Sequence, residues 1–271
     1  MTNAEYLIAI DKRRSRRAFK PKPLDYDVKQ LIKELVAYVN EKAGLDFIFI
    51  DDARFAFNVQ SGMTSLIAVC GPDTIPARQA CGYYGETIVL QCAFHGIGTC
   101  WVGSYNENKV LEKLDLPKGH RLYCVIAIGN VSEKLSIKEK MIYAATHKNS
   151  KPYQKMFEFC DDVISPQVAF AMQQVEKAPS SVNRRPVKFR YENGEISAYV
   201  EEPYSDKSID FGIAQLHFQI GMSAKGVKGR WEDGRFVIDS GQILKFPNAA
   251  NSKKGDRKST RLNSSHLTGS R

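Results

Sequence analysis

Over residues 25–44, DYDVKQLIKELVAYVNEKAG, apolar side chains recur at Val28, Leu31, Ile32, Leu35, Val36 and Val39, the spacing of a helix with one apolar face. Asp25 stands where an N-cap belongs and Gly44 where a helix stops. Two continuous apolar runs, DFIFI (46–50) and SLIAVCG (65–71), read as short buried strands. GYYGETIVLQCAFH (82–95) is mostly apolar and predicts a helix ending at Gly96, and LDLPKGHRLYCVIAIGN (114–130) predicts a turn feeding a strand. Between Ser132 and Glu158 the pattern gives way to lysine-rich sequence, so an extended excursion over the surface is expected. Periodicity resumes in SPQVAFAMQQVEKA (165–178), a helix with Ser165 as cap and Pro166 in its first turn. VKFRYENGEISAYV (187–200) is a hairpin around Asn193-Gly194, and DFGIAQLHFQIGMSAKG (210–226) is a further helix leading into VKGRW.

The two stretches echo each other. Gly82 to Trp101 and Gly212 to Trp231 have the same separation of 19 positions, Gly96-Ile97 falls on Gly226-Val227, and these are the chain's only 2 tryptophans. The shared order of helix, strand, long apolar helix, glycine and tryptophan indicates a diverged internal duplication. Strands alternating with helices at this spacing give an α+β fold with a mixed or antiparallel central sheet flanked by helices. The expected division is a first half at 1–155, a diverged second half at 156–247 and a disordered tail at 248–271.

Charge modifies this picture only after a correction. The formal net charge is +9, but the segment from Asp256, DRKSTRLNSSHLTGSR, begins with eleven residues that resemble one reading frame of a common DNA-sequencing adapter. Setting aside its Arg257, Lys258, Arg261 and Arg271 against Asp256 lowers the charge to +6. That value suits an anionic small ligand as well as a nucleic acid. The 6 cysteines form no C-x-x-C pair and lie mostly in apolar surroundings, so free buried thiols are expected; the five histidines are scattered and suggest no metal site. No apolar run approaches a membrane span and the N-terminus lacks the order of a secretory signal, so no membrane and a cytoplasmic location are expected.

Three motifs carry candidate chemistry, each with more than one reading. KRRSRRAF (12–19) is a solvated basic run, a nucleic-acid or nuclear-localisation patch, or an anchor for a phosphorylated cofactor, since guanidinium forks pair bidentately with phosphate. GIGTCWVG (96–103) is a tight turn with Trp101 in the core, or a loop whose backbone N–H groups approach a flat ligand. APSSVNRRP (178–186) is ordinary loop chemistry, or a set of hydrogen bonds to the edge of a heterocycle.

Taken together, RRSRRAF, APSSVNRRPVKF, GYYGETIVLQCAFHGIGTCWVG and LPKGHRLYCVIAIGNVSEK resemble the successive signatures of the nitroreductase family of flavin mononucleotide (FMN) oxidoreductases, over roughly 8–140 and 165–240. The resemblance implies an α+β fold, usually an intertwined homodimer with flavin at the subunit interface. It implies that Arg13, Arg14, Ser15 and Arg17 hold FMN's phosphate, ribityl and pyrimidine end. Val102 and Gly103 match the segment near flavin N5; Pro179, Ser180, Ser181 and Asn183 match the loop reaching the isoalloxazine from the opposite subunit. Lys138 and Lys140 lie where the family often has a basic pair on the phosphate. No catalytic side chain is demanded, because the flavin carries the chemistry. NAD(P)H is the implied electron donor and the partner a small-molecule acceptor such as a nitroaromatic, quinone or enone; a nucleic-acid partner is not expected.

This chain departs from the usual pattern. The first helix runs on with no APS loop, while the second half has that loop without an RRS before it, and its counterpart of GIGTCW is the charged GVKGRW. Val187 stands where many members have an aromatic after the proline. The expectation is a monomer acting as a pseudo-dimer with a single complete flavin site, an arrangement resembling one branch of the family. The alternatives are a specialised flavin enzyme of the same fold (a dehalogenase or one that consumes flavin) and a degenerate, non-catalytic protein binding flavin or nucleic acid.

Overall fold

The computed structural model of the chain describes residues 1–62, 64–148, 152–159, 164–242 and 244. The tail expected at 248–271, with its adapter-like segment, and Cys160 lie outside the described residues. The first half contains α1 (Asn3–Lys12), α2 (Tyr26–Ala43), β1 (Ile48–Ile50), β2 (Ser65–Pro72), α3 (Ile75–Phe94), β3 (Gly98–Val102), α4 (Glu107–Leu111), β4 (His120–Gly129) and α5 (Ile137–His147). The second contains β5 (Phe157–Phe159), α6 (Pro166–Glu176), β6 (Lys188–Glu192), β7 (Glu195–Tyr199), α7 (Lys207–Ala224), β8 (Gly229–Glu232) and β9 (Arg235–Ile238).

The α+β character holds, with the strands in two sheets rather than one central sheet. The first, in the order β1-β2-β4-β3, is antiparallel throughout. The second, in the order β5-β6-β7-β9-β8, adds β5 in parallel to an otherwise antiparallel set. With β5 set aside, the two orders are the same: each half pairs its last strand directly with its second, and its third strand sits at the edge beside the last. In both, the long helix lies between the second and third of these strands. Helices α3 and α7 pack against each other, α3 also meeting β2 and β3 and α7 meeting β8.

Matching details recur at a constant offset. Gly96 and Gly226 both adopt positive φ, 75° and 80°, ending α3 and α7 in left-handed turns. The next N–H then turns back onto the helix, Ile97 onto Cys92 at 2.9 Å and Val227 onto Met222 at 3.0 Å. Trp101 packs its ring on Gly85, and Trp231 donates its indole N–H to the Gln215 carbonyl at 2.9 Å, so each tryptophan leans on the corresponding turn of its own long helix.

Local sequence explains most boundaries. The helix read at 26–43 ends at Gly44 with φ 62°, and Asp25 is its N-cap residue but makes no capping hydrogen bond, its carboxylate pairing with Lys22 at 2.8 Å instead. The hairpin turns at Asn193 and Gly194, both at positive φ. Helix α3 starts seven residues before the expected Gly82, because the Thr74 hydroxyl accepts from the Ala77 N–H and Pro76 fits the first turn. The surface excursion expected between 132 and 158 is corrected: α5 occupies 137–147 and the short β5 follows. Ser136 and Glu139 form a capping box that starts α5, and its only buried residue is that glutamate, so no apolar stripe announces it.

Helix α1, capped by a Thr2–Glu5 box, lies across both long helices, with Ala9 and Ile10 buried against Leu90, Leu216 and Ile220. Each such aliphatic side chain contributes about 1.5–3 kcal/mol of burial, which fixes where the chain emerges from α1. Among the described residues no helix is long and apolar enough to cross a membrane.

Candidate functional site

A cavity of about 1340 Å³ opens between the halves. It receives the segment leaving α1, the end of β3 and the loop between α6 and β6, three stretches that are far apart in sequence.

The segment leaving α1 runs as a short extra strand beside β3: Ser15 bridges Thr99, and the Arg16 N–H donates to the Thr99 carbonyl at 2.8 Å. Arg13, Arg14, Ser15 and Arg17 line the cavity. Arg16 turns the other way, is 7% exposed, and donates Nε to Glu139 at 3.0 Å and a terminal nitrogen to the Ser132 carbonyl at 2.8 Å. The same Glu139 oxygen accepts the N–H groups of Arg17 at 2.7 Å and Ala18 at 3.2 Å. Burial alone would raise the Glu139 pKa, but the Arg16 guanidinium and the N–H groups of Arg17, Ser136 and Ala18 outweigh it and bring it to about 2. Glu139 thus clamps the basic segment open towards the cavity. Lys138 and Lys140, on either side of it, are exposed and not part of the cavity wall; Lys138 donates to the Val59 carbonyl at 3.1 Å.

The Arg13 side chain is largely enclosed, 13% exposed. Its Nε has no hydrogen-bond partner and lies 3.9 Å from Glu86. Burial lowers its pKa and Glu86 acts in the opposite sense. Glu86 is fully buried, accepting from the Trp101 indole at 2.8 Å and lying 3.0 Å from His217 Nε2, so it ties α3 to α7 beneath the cavity. Trp101 packs against the core and, with its neighbours Val102 and Gly103, also lines the cavity. A Cβ at Gly103 would meet nothing within 4 Å, so the backbone there faces open space.

The loop after α6 forms the facing wall, with Pro179, Ser180, Ser181 and Asn183 all lining the cavity. Ser180 Oγ accepts the Arg185 N–H at 2.9 Å, and Asn183 donates to the Thr146 carbonyl of α5 at 3.1 Å, closing one edge against the first half. Val182, Asn183 and Arg185 have φ of 44°, 57° and 48°. For a β-branched valine that conformation is strained by about 1–3 kcal/mol, and it is held by the contacts on either side. The main hold is Asp210 of α7, whose two carboxylate oxygens accept the Ser181 N–H at 3.0 and 3.2 Å. Burial pushes the Asp210 carboxyl up to about 7, against the lowering effect of that N–H.

The motif-derived residues of all three segments thus converge on one cavity, apart from the two lysines. Glu139, Glu86, His217 and Asp210 escaped the sequence reading. Only Glu139 had a local signal, the S-x-x-E capping box of SIKE. Among the described residues no cluster of three or more His, Cys, Asp or Glu side chains is placed to hold a metal ion. Cys70, Cys81, Cys92, Cys100 and Cys124 are free thiols, with burial pushing Cys70 and Cys92 to about 12.

Fold and cavity together define an α+β protein with a large arginine-lined cleft between two units of like topology. The model of the family described as "Putative TM nitroreductase" matches residues 5–222, and the chain belongs to that family. Among solved structures, a nitroreductase-type protein of Thermotoga maritima is similar over 86% of this chain and 92% of its own, at 20% identity and a TM-score of 0.58, and it shares the fold. A nitroreductase with bound FMN from Desulfitobacterium hafniense overlaps 49% of this chain and 91% of its own, at 19% identity and a TM-score of 0.38. A nitroreductase family protein of Clostridium novyi overlaps 49% and 86%, at 23% identity and a TM-score of 0.38. No curated protein matches the chain.

Proposed function

We propose that the protein is an FMN-dependent oxidoreductase, with one flavin site formed between two halves that act as a pseudo-dimer within a single chain. One observation carries the reading: a single cavity is lined by Arg13, Arg14, Ser15, Arg17, Val102 and Gly103 of the first half and by Pro179, Ser180, Ser181 and Asn183 of the second. The residues fit the group. The buried Nε of Arg13 has no hydrogen-bond partner and only a 3.9 Å approach to Glu86, which leaves it able to bind an anion; Gly103 leaves room for a flat ring against its backbone, and the Ser180–Asn183 loop offers small polar groups for a heterocycle edge.

In this reading Arg13, Arg14, Ser15 and Arg17 hold the phosphate end, and Glu139 keeps their backbone in place by occupying Arg16. The strained loop at Val182–Arg185, tied down by Asp210, presents its polar groups from the other side. Trp101, bonded to Glu86, supports Val102 and Gly103 against the ring. When bound, FMN supplies the two-electron chemistry that links NAD(P)H to an oxidised acceptor such as a nitroaromatic, quinone or enone. The protein's own part is to bind, orient and supply positive charge. The repeated sheet order supports the duplication, and the loss of RRS from one half and of APS from the other supports one site rather than two.

The visible spectrum of the purified protein tests the reading. A yellow protein with one FMN per chain, bleached anaerobically by NADH or NADPH, is expected. A colourless protein that rejects added FMN overturns the enzyme reading, and two FMN per chain or one per two chains overturns the pseudo-dimer.

A further inference from the structure

We propose that Arg78 and Arg121 form a second anion-recognition point in the same cavity, at the end away from Arg13 and Arg17, which takes the carboxylate or phosphate of a small ligand bound beside the flavin. This rests on the reading of the cavity as a flavin site.

The sheet register separates the two basic groups. The segment 13–17 joins β3 at Thr99, near its start, through the Ser15 bridge. Strand β4 runs antiparallel to β3 with Val125 opposite Val102, so Tyr123 and Arg121 lie past the far end of β3 and past Gly103. Five residues of strand span roughly 15 Å. Arg78, in the first turn of α3, reaches this far end, its guanidinium 4.9 Å from the Tyr123 ring and 4.5 Å from the Tyr204 ring. Tyr204 belongs to the second half, so this point, like the flavin site, is built from both halves.

The guanidinium is enclosed yet incompletely used. Arg78 is 7% exposed, lines the cavity, and its Nε has no hydrogen-bond partner. Asp73 lies 3.7 Å from Arg78 and 3.6 Å from Arg121, and also accepts from the Tyr204 hydroxyl at 2.8 Å. One carboxylate serves two guanidinium groups, which leaves a net positive charge where the cavity is walled by aromatic rings. Asp206 and Asp210 also line the cavity, but Asp206 pairs with Arg184 at 2.5 Å and burial raises the Asp210 pKa to about 7, so neither takes up the charge of Arg78 and Arg121 in full. Buried donors without partners are costly, and a planar guanidinium held by aromatic faces offers its edge to a carboxylate or phosphate. Two ligands carry such a group: a nicotinamide nucleotide with a 2′-phosphate, and an anionic acceptor.

The test is calorimetric binding to the full chain as purified, wild type and Arg78→Gln, using NADPH against NADH and 4-nitrobenzoate against 4-nitrobenzamide. In at least one pair the wild type is expected to bind the member with the extra phosphate or carboxylate roughly tenfold more tightly. Arg78→Gln removes this preference and leaves in place the affinity for the member that lacks the extra anionic group (NADH or 4-nitrobenzamide); the pair that shows the effect identifies the source. No preference in either pair, or one that survives the substitution, overturns the proposal. If Arg78→Gln fails to fold, Arg121→Gln takes its place, and an undiminished preference there is equally fatal. The flavin absorbance of the same samples keeps the two readings apart. An Arg78-dependent preference in colourless protein retains the anion point and discards the flavin, whereas yellow protein without a preference does the reverse.

Discussion

Gly82 and Gly212 meet where α3 crosses α7, each against the other helix's backbone. A Cβ on Gly82 would stand 2.0 Å from the Ile209 carbonyl oxygen, and one on Gly212 would stand 1.9 Å from that of Gln79. Ile209 and Gln79 each lie three residues before the opposing glycine's partner on their own helix, so the contact is reciprocal. The two glycines that echo each other in sequence thus meet in space, each against the other's helix.

Alanine at either position has no flexible side chain to displace, only backbone, and forces the helices apart. Gly82→Ala and Gly212→Ala are each expected to cost about 1–3 kcal/mol or more, to a similar degree, in urea unfolding. Gly103→Ala, which meets open space, serves as the control and stays within about 0.5 kcal/mol of wild type. Unchanged midpoints for both crossing variants would mean that the helices do not touch in this way.

Arg13 and Arg17 line the cavity, whereas Lys138 and Lys140 do not. Replacing both arginines with alanine removes charge-assisted hydrogen bonds of about 1.5–3 kcal/mol each and is expected to weaken FMN binding at least a hundredfold. The Lys138→Ala, Lys140→Ala double variant is expected to stay within about fivefold of wild type. Equilibrium dialysis with FMN measures both, and equal losses would return the lysines to the site.

The Glu139 pKa is depressed in the fold, from 4.5 to about 2. Its contribution is therefore fully present above pH 4.5 and is lost as the pH falls through that value towards 2. Glu139→Gln is expected to be less stable than wild type at pH 7 by on the order of 3 kcal/mol, with the gap closing in acid. A gap that is constant with pH would show that the loss comes from packing rather than from the carboxylate.

Asp210 acts in the opposite sense, its pKa being raised from 3.8 to about 7. The unfolded chain ionises first, so stability falls as the pH rises from about 4 to about 7 and levels off beyond. Asp210→Asn keeps an oxygen for the Ser181 N–H and is expected to flatten this decline, becoming more stable than wild type at pH 8. Parallel stability profiles for the two proteins across pH 4.5 to 8 would refute the assignment.

Much of this protein is written locally. The spacing of Val28, Leu31, Ile32, Leu35, Val36 and Val39, the Asn193-Gly194 turn and the Ser165-Pro166 start are short-range signals, and each element forms where its own residues dictate. The basic, glycine-rich and APS motifs likewise marked three segments that reach the cavity, because a ligand-facing loop carries its chemistry within a few residues.

Pairing is different, since nothing within a segment states which distant segment will cover it. Helix α5 was missed because what it buries is the carboxylate of Glu139, meant for Arg16, an arginine 123 positions earlier. The Glu86–His217 contact, the hold of Asp210 on Ser181, and the closing of strands into two sheets were equally invisible. The first of these exists only once α3 and α7 cross at Gly82 and Gly212. The sequence by itself determined the elements and the chemistry of the loops; the packing of those two helices decided that the loops share one cavity.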